Sequence, residues 1–418
     1  MRALVLALLF ATASAAAQQA RDEDADAAAL SLPGESAEVS RGGALRAFVE
    51  PAWTDSDLRD GTSQRGERLS LDVHYDARLA SAWRAVFADR LDVRWQDGFS
   101  DETHVNTLKE AYLSWQFRPE AIADLGRINA RYGVAYGYNP TDYFRAGAVR
   151  SIVSIDPASL RENRQGSVMA RGQALWTGGS LTALYSPKLA DQPSDAAFNA
   201  DLGATNGRNR GLLAASERFS SSFNPQGLLY GEDGGSPQLG LNLTALPSDA
   251  AVAYVEWSGG RSASLASQAL ALPDDTAFRS RLATGVAYTT ATKLTLTLEY
   301  QYDGAGLDAA GWNALRRGPS AAYAAYRKFA ANVQDPPTKE RMFFRAFWQD
   351  ALLNHLDLTA NVYFDIVDSS RQVWTEARYH WTRLDVALQW SRNSGSAGSE
   401  YGALPERQVW QALARYYF

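Results

Sequence analysis

The chain has no cysteine, and this absence removes three kinds of chemistry from consideration. Disulfide bonds, thiol catalysis and cysteine-ligated metal sites all require a thiol. Lysine is also scarce, so arginine carries nearly all of the positive charge. Arginine makes fixed, planar contacts with carboxylates and phosphates better than lysine does. We therefore expect such contacts wherever arginines cluster in the fold.

Long hydrophobic runs are absent after the first residues. Met1–Ala17 reads as a secretory signal, with Arg2 as its charge, an apolar core and a small-residue cleavage site. No other stretch is apolar enough to predict a transmembrane helix. The chain is 46% hydrophobic, yet its mean hydropathy is −0.31, so the apolar residues are dispersed. A net charge of −6 and a pI near 5.4 give no indication of nucleic-acid binding.

The last residues form an amphipathic strand that ends on an aromatic ring. Trp410, Tyr416 and Phe418 share one register, and the polar residues between them occupy the other. This segment resembles the C-terminal signature that bacterial outer-membrane assembly machinery reads on unfolded β-barrels. A single strand cannot leave its backbone groups unpaired in lipid, so the pattern predicts a closed barrel. We interpret these three residues as an assembly signal.

Period-two alternation recurs along most of the chain, as in a strand with one face in lipid and the other in water. We predict an all-β transmembrane antiparallel barrel over residues 43–418, after a disordered periplasmic lead-in at 18–42. The predicted strands number 16 and span roughly 45–53, 67–79, 82–95, 108–117, 122–130, 166–176, 180–186, 238–246, 250–258, 280–289, 292–302, 341–349, 355–366, 371–381, 383–391 and 407–418.

The segment 187–237 leaves the strand number open. Leu212–Phe219 and Gly227–Tyr230 could form one more hairpin, which gives 18 strands as the alternative. The connections between strands mostly alternate between long and short, except for a tight turn near 367–370. Outer-membrane barrels have long extracellular loops and short periplasmic turns, so both termini should be periplasmic.

Tryptophans support the same interpretation, since most of them share the apolar register and lie near strand ends. Indoles at those positions predict aromatic girdles at the two membrane interfaces. The predicted girdle residues are Trp53, Trp83, Trp95, Trp115, Trp176, Trp257, Trp348, Trp381, Trp390 and Trp410.

A barrel of this size is wide enough to hold water, which makes a conduit the expected function. Charged residues in the polar register should line it, and we single out Glu110, Arg171, Glu256, Glu299 and Arg378. For each, a solvated wall residue in a cross-strand ion pair is the alternative interpretation. Both signs of charge are present, so the wall alone does not predict selectivity.

The connection after residue 130 concentrates arginine and tyrosine around the turn sequence Asn139-Pro140-Thr141-Asp142. Two arrangements are open. If the loop folds into the lumen, it forms a narrow zone that binds carboxylates or phosphates and offers rings to sugars. If it stays outside, its arginines contact lipopolysaccharide phosphates. The candidate residues are Arg127, Arg131, Tyr136, Tyr138, Asp142, Arg145 and Arg150.

Three short motifs in this part of the chain carry a family resemblance. Glu110-Ala111-Tyr112-Leu113, then Leu125-Gly126-Arg127, then the turn at Asn139–Asp142 resemble the alginate-export-like group of porin-type outer-membrane barrels. The resemblance covers about a third of the chain. It implies an outer-membrane channel for small hydrophilic or anionic solutes or a polysaccharide. Its partners would be outer-membrane lipid, lipopolysaccharide and the barrel assembly machinery.

The connection at 303–340 contains two Ala-rich stretches, Asp308–Arg317 and Ser320–Val333, that predict helices. They either cap the outer mouth or plug it. The sequence has no Gly-x-Ser-x-Gly elbow and no His-Glu-x-x-His helix. We therefore predict a channel that is not an enzyme and uses no cofactor or metal. A membrane-embedded hydrolase and a structural or adhesion barrel are the alternatives.

Overall fold

The computed structural model describes residues 44–96, 103–191, 193–194, 198, 201–220 and 222–418. The predicted signal peptide and lead-in lie outside the described residues. The described chain forms one 18-stranded antiparallel sheet that closes on itself, because β1 pairs with β18 as well as with β2. Closure leaves no open sheet edge, as backbone in lipid requires.

The strands follow one another around the barrel in sequence order. They are β1 (Ala44–Leu58), β2 (Ser63–Ala80), β3 (Trp83–Gln96), β4 (Thr103–Arg118), β5 (Ala121–Ile128), β6 (Ser167–Trp176), β7 (Gly179–Ser186), β8 (Arg210–Glu217), β9 (Gln226–Glu232), β10 (Gln238–Ser248), β11 (Ala251–Ser262), β12 (Ala277–Thr289), β13 (Leu294–Asp303), β14 (Glu340–Trp348), β15 (Leu356–Asp365), β16 (Arg371–His380), β17 (Leu384–Ser394) and β18 (Glu406–Tyr417).

Four helices lie in the connections of the described chain: α1 (Pro157–Glu162), α2 (Leu265–Leu270), α3 (Ala309–Arg317) and α4 (Ser320–Val333). The two predicted helices of the 303–340 connection are therefore confirmed. Among the described residues, none of these helices has the length and apolar character needed to cross a bilayer.

The prediction of 16 strands is wrong, and the alternative of 18 is confirmed. The additional hairpin is β8 and β9, where the sequence alternates poorly. Its inward residues Leu212, Ala214 and Leu228 are apolar because they pack against other apolar groups inside the barrel. Its outward face carries small residues such as Gly211 and Ala215. Both faces therefore lack the polar contrast that marks the other strands.

The connections separate into two ends of the barrel. Connections 129–166, 187–209, 263–276, 304–339 and 395–405 lie at one end, which we call the long-loop end. The other end has most of the tight turns and both ends of the described chain, and we call it the short-turn end; the tight turns at 59–62 and 366–370 lie at the long-loop end. One predicted long gap is absent, because β1 continues to Leu58 and β2 begins at Ser63.

Outward and inward faces follow the predicted alternation. On β13, Leu298 is 48% exposed on the outside, whereas Thr297 and Glu299 on either side of it are buried inside. Tryptophans occupy the outer face near both ends of the strands, with the exposed Trp83 and Trp115 stacked at the short-turn end and the partly exposed Trp390 beside Trp410 at the other. Beyond β18, the Phe418 amide donates to the Ala47 carbonyl at 3.0 Å, next to the β1–β18 pairing.

The face assignment leads to a matched pair of substitutions on β13. Leu298→Arg should lower the free energy of unfolding from lipid by roughly 2–4 kcal/mol, because it places a charge in hydrocarbon. Thr295→Arg, three residues earlier on the same strand and facing the interior, should cost much less. Urea unfolding from lipid vesicles measures both. Equal costs for the two variants would contradict the assignment of faces.

Candidate functional site

The connection between β5 and β6, residues 129–166, turns into the barrel, and we call it the inner loop. Its backbone is held by two carboxylates that project inward from the opposite wall, Glu256 on β11 and Glu299 on β13. Both side chains are 0% exposed. Of the two arrangements considered for the arginine-rich connection, the structure therefore shows the one inside the lumen.

Glu256 receives five hydrogen bonds from the inner loop. Its Oε2 accepts from the backbone amides of Val134 at 2.8 Å and Ala135 at 3.0 Å, and from the Asn139 side-chain amide at 3.1 Å. Its Oε1 accepts from the Thr141 amide at 2.8 Å and the Thr141 hydroxyl at 2.9 Å. A buried carboxylate is stable only when its oxygens are fully hydrogen-bonded, and the loop supplies these bonds.

Glu299 binds the next turn of the same segment. Its oxygens accept from the amides of Tyr136 at 2.8 Å, Gly137 at 3.2 Å and Tyr138 at 3.1 Å. Wall side chains complete the set, since Tyr254 Oη and Gln301 Nε2 donate at 2.8 and 2.7 Å. Successive backbone amides that converge on one anion form the concave arrangement known from anion-binding nests. Here the anion belongs to the protein itself.

Two glycines allow the loop to approach the wall this closely. Gly133 has a φ of +105°, and a Cβ there would lie 2.5 Å from Glu256 Oε1. At Gly137, a Cβ would lie 2.6 Å from Gln301 Nε2 and 2.7 Å from the Phe343 ring. Neither position accepts a side chain without displacing the loop from its carboxylate.

The predicted turn at Asn139–Asp142 forms and connects the two arms of the inner loop. The Asp142 amide donates to the Asn139 carbonyl at 3.1 Å. Asp142 is 1% exposed and accepts from Arg164 Nη1, on the returning arm, at 2.8 Å. Asp142 therefore serves as a structural anion within the loop.

Apolar side chains of the inner loop fill one side of the lumen. They pack against inward residues of β5 to β9 and form a core that excludes water. Its members are Ile128, Ala130, Tyr132, Phe144, Met169, Leu184, Leu212, Ala214, Leu228 and Tyr230. Full burial of such side chains contributes about 1.5–3 kcal/mol each. This core fills only the side of β5 to β9, and the wall of β1 to β3 and β16 to β18 instead borders a cavity.

The connection 304–339, which we call the lid, covers part of the long-loop end. Its helices pack with α2 around Trp312 and Tyr326. The lid also reaches the inner loop through Asp335, which pairs with Arg145 and accepts from Tyr138 Oη at 3.0 Å. Burial raises the pKa of Asp335, but Arg145 and Arg281 outweigh this and leave the pKa below its ordinary value. The lid and the inner loop are thus joined by a charged pair.

A cavity of about 240 Å³ lies between α1 and the open side of the wall. The wall contributes Arg68, Arg90, Arg378 and Arg415 together with Glu50 and Glu376. Glu50 accepts from Arg68 at 2.9 Å and Arg415 at 2.8 Å, and Arg378 donates to Glu376 at 2.8 Å. All four guanidinium groups are paired with carboxylates; Arg68 and Arg90 are buried, whereas Arg378 and Arg415 remain partly exposed.

Residues 150–163 cross the lumen, and we call them the cross-lumen segment. At one side, Arg94 on β3 donates to Ser151 Oγ at 2.7 Å. At the other, Asp156 Oδ1 accepts from Arg345 at 2.8 Å and from the Asn361 amide at 2.9 Å. Asp156 also caps α1, since its Oδ2 accepts from the Ser159 amide at 3.2 Å.

A second cavity of about 380 Å³ lies on the opposite face of the cross-lumen segment, beneath the lid. Its lining includes five guanidinium groups, of Arg145, Arg161, Arg164, Arg327 and Arg341, and three carboxylates, of Asp142, Asp335 and Glu400. Tyr136, Tyr138, Tyr363 and Tyr401 line it as well. The balance of formal charge is positive, and aromatic faces lie beside the positive groups.

The remaining predicted site residues have diverse positions. Arg127 is 1% exposed, shares the outward register of Leu125 and donates to the Gly166 and Asp201 carbonyls, so it does not face the lumen. Arg131 is exposed, and Arg150 Nη1 donates to the Ser194 carbonyl at 3.5 Å. On the inner wall, Arg171 pairs with Asp124 at 2.7 Å, and Glu110 lies opposite the buried Ala88.

Sequence reasoning missed the groups that fix the cross-lumen segment and the lid. Asp156 followed by Pro157 is a recognisable helix start, so α1 could have been found. Its partners Arg345 and Asn361 lie across the lumen, 189 and 205 residues away, and no local signal connects them. No local signal connects Asp335 with its partner Arg145 either, so sequence reasoning also missed Asp335.

No protein-family model matches the chain, and no curated protein matches it either. Solved structures do resemble it. Pseudomonas aeruginosa OpdQ has a TM-score of 0.57 at 11% identity, over 90% of this chain and 99% of that one. P. aeruginosa OpdK with vanillate gives 0.56 at 10% identity, over 90% and 98%. P. aeruginosa OccK2 in complex with glucuronate gives 0.54 at 11% identity, over 90% and 99%. These likenesses show the barrel fold.

The carboxylate anchors lead to a direct test of the inner loop. Glu299→Ala removes the acceptor of three backbone amides, and each unpaired group costs roughly 1–3 kcal/mol. The loop should then leave the wall and widen the passage. Single-channel conductance in planar bilayers should rise by roughly twofold or more, because the narrowest section limits the current. Glu67→Ala, on the exposed outer face, should leave conductance unchanged. Identical conductance in both variants would contradict this role of Glu299.

The cross-lumen segment can be tested separately. Asp156→Asn retains a capping side chain but loses the charge that faces Arg345. We expect noisier current with frequent sublevels, because the segment is then held firmly at one side only. Asp60→Asn, in an exposed turn, is the matched control. Quiet recordings from Asp156→Asn would show that Arg94 and the backbone suffice to fix the segment.

Proposed function

We propose that the protein is an outer-membrane channel for small hydrophilic anionic solutes. The observation that carries the proposal is a wide barrel whose lumen is narrowed, but not filled, by a loop bound to the wall. An apolar core occupies one side, and charged groups line the other. Such a passage conducts water-soluble molecules and limits their size.

Three features support the outer membrane as the location. The barrel exposes an apolar outer face with aromatic residues near both ends of the strands. Solved neighbours include the P. aeruginosa outer membrane protein OpdK, with a TM-score of 0.54 at 9% identity, over 90% of this chain and 99% of that one. The C-terminal aromatic pattern fits the signature of barrel assembly. The proposed orientation follows the general pattern of outer-membrane barrels: the short-turn end and both termini are periplasmic, and the long-loop end with its lid is extracellular.

The excess of guanidinium groups beneath the lid supports anions as the solutes. A solute that enters from the lid side meets five arginines and three carboxylates in the cavity bounded by the cross-lumen segment, which itself contributes Arg161. Positive potential at a narrow entrance raises the local concentration of anions. Two of the solved neighbours carry vanillate and glucuronate, and both compounds are carboxylates. Cavities of about 240 and 380 Å³ suit a molecule of that size better than a polymer.

Selectivity measurements test the proposal. Purified protein in planar bilayers should prefer chloride to potassium at low salt, and the preference should fall at 1 M salt, where the Debye length is about 3 Å. The double variant Arg161→Gln with Arg327→Gln should shift the reversal potential toward cation selectivity. Arg65→Gln, which removes an exposed rim arginine, should not. Vanillate or glucuronate should reduce the chloride current.

Two results would contradict the proposal. Equal permeability to both ions at low salt, unaffected by the double variant, would show that the arginines beneath the lid do not act on permeating ions. A protein that does not conduct at all, even after deletion of the lid helices, would exclude a channel and favour a structural role.

A further inference from the structure

Two arginines on the outer face of the barrel have no partner in their own chain, Arg371 on β16 and Arg392 on β17. Both side chains are exposed. The alternate residues of these strands face inward, since Trp374 is 5% and Asn393 is 6% exposed, so both arginines project away from the lumen. Neither guanidinium forms a hydrogen bond or an ion pair with another residue of the described chain. They differ in this from the wall arginines beside α1, which are paired with carboxylates.

The strand register places these two guanidinium groups close to each other. Arg371 pairs with Ser394 and Arg392 pairs with Val373, so the two arginines are diagonal neighbours on one face of an antiparallel pair. Diagonal neighbours are about 7–8 Å apart, which long side chains can span. Glu406 on the neighbouring β18 forms no ion pair with either arginine. One point of the outer surface therefore carries two positive charges that the described chain does not pair.

Two tryptophans mark the depth of this point in the membrane. The rings of Trp390 and Trp410 lie side by side on the outer face near the long-loop end, with centroids 6.3 Å apart. Indoles in such positions mark the boundary between hydrocarbon and headgroups. Arg392 follows Trp390 by two residues on the same face, which places it about 7 Å further toward the long-loop end. The arginine pair therefore lies at the level of the lipid headgroups.

Toward the centre of the membrane, the outer face forms a shallow groove along β16. The outward residues of β16 below Arg371 are Val373, Thr375 and Ala377. Larger side chains flank them, with Phe364 on β15 38% exposed and Leu388 on β17 50% exposed. The surface thus combines positive charge at the headgroup level with an apolar groove of the kind that an acyl chain can occupy.

Phosphate is the headgroup element that two adjacent guanidinium groups bind best, because planar donor pairs match its oxygens. In the proposed orientation the long-loop end faces the outer leaflet, which consists largely of lipopolysaccharide. Its lipid A carries phosphomonoesters on an acylated disaccharide. A phosphomonoester has a charge of about −1.5 to −2 at neutral pH, whereas the phosphodiester of a glycerophospholipid has a single negative charge. Two unpaired arginines match the monoester more closely.

We propose that Arg371 and Arg392 bind a phosphate of lipid A, with one of its acyl chains along the groove of β16. The site rests on the proposed outer-membrane location and orientation of the barrel, and not on the nature of the solute. It is separate from the passage, because it lies on the opposite face of the wall.

Native mass spectrometry of the purified barrel in detergent measures this site directly. The double variant Arg371→Gln with Arg392→Gln should bind bisphosphorylated lipid A about tenfold more weakly than wild type, because both charged donors are lost. Arg65→Gln is the matched control, since it removes an outer-face arginine that has Asp55 as its partner. Its affinity should stay within about twofold of wild type. Dephosphorylated lipid A and phosphatidylglycerol should bind wild type as weakly as lipid A binds the double variant.

Several outcomes would overturn the lipid site. They are equal affinity of wild type and the double variant for lipid A, and equal binding of dephosphorylated lipid A or phosphatidylglycerol to wild type. A lipid-free dimer of wild type that the double variant loses would identify a protein partner instead. Each single variant should give an intermediate affinity, and it repeats the measurement if the double variant lacks heat-modifiable gel mobility.

Conductance separates this test from that of the channel. The double variant should conduct as wild type does, since neither arginine faces the lumen. A barrel that conducts anions but binds all three lipids equally would overturn the lipid site alone. A barrel that binds lipid A through the two arginines but does not conduct would overturn the channel and leave the lipid site in place.

Discussion

Two buried carboxylates determine the shape of the lumen. Glu256 and Glu299 would be strongly unfavourable inside the barrel without hydrogen bonds, and the inner loop would be unfavourable there with unpaired amides. The loop amides donate the hydrogen bonds that the two carboxylates accept, so wall and loop are stable only together. Gly133 and Gly137 permit the close approach. The apolar core against β5 to β9 and the position of the cross-lumen segment both depend on this docking.

The loop divides the interior into regions of different chemistry. On one side, apolar packing removes water and fixes the loop as a wall of its own. On the other, guanidinium and carboxylate groups alternate over neighbouring strands and hold one another in defined positions. Paired arginines in a confined space still present donors to a passing anion, and they lose little conformational freedom on contact. A passage with fixed charges can therefore discriminate by geometry as well as by sign.

The sequence predicted the architecture well, because lipid and water impose opposite requirements on alternate residues. Leu298 and Thr297 show that contrast directly. The prediction of strands from this alternation failed at β8 and β9, where the inner face is as apolar as the outer one. For the site, alternation correctly placed Glu256 and Glu299 on the inner face, but as solvated wall residues. Their partners lie more than a hundred residues earlier in the chain, and no local pattern encodes that contact. Arg127 was misplaced because its loop motif suggested the lumen, whereas its strand register points outward.

The docking of the inner loop has a consequence for the order of assembly. Residues 134–138 of the loop bind carboxylates that follow them by 122 and 163 residues. The loop therefore cannot reach its final position until β11 and β13 have joined the sheet, and contacts so distant in sequence form late. Until then the inner loop cannot obstruct the interior of the growing barrel. The lumen acquires its narrow cross-section only after the sheet has brought those two strands and the inner loop together.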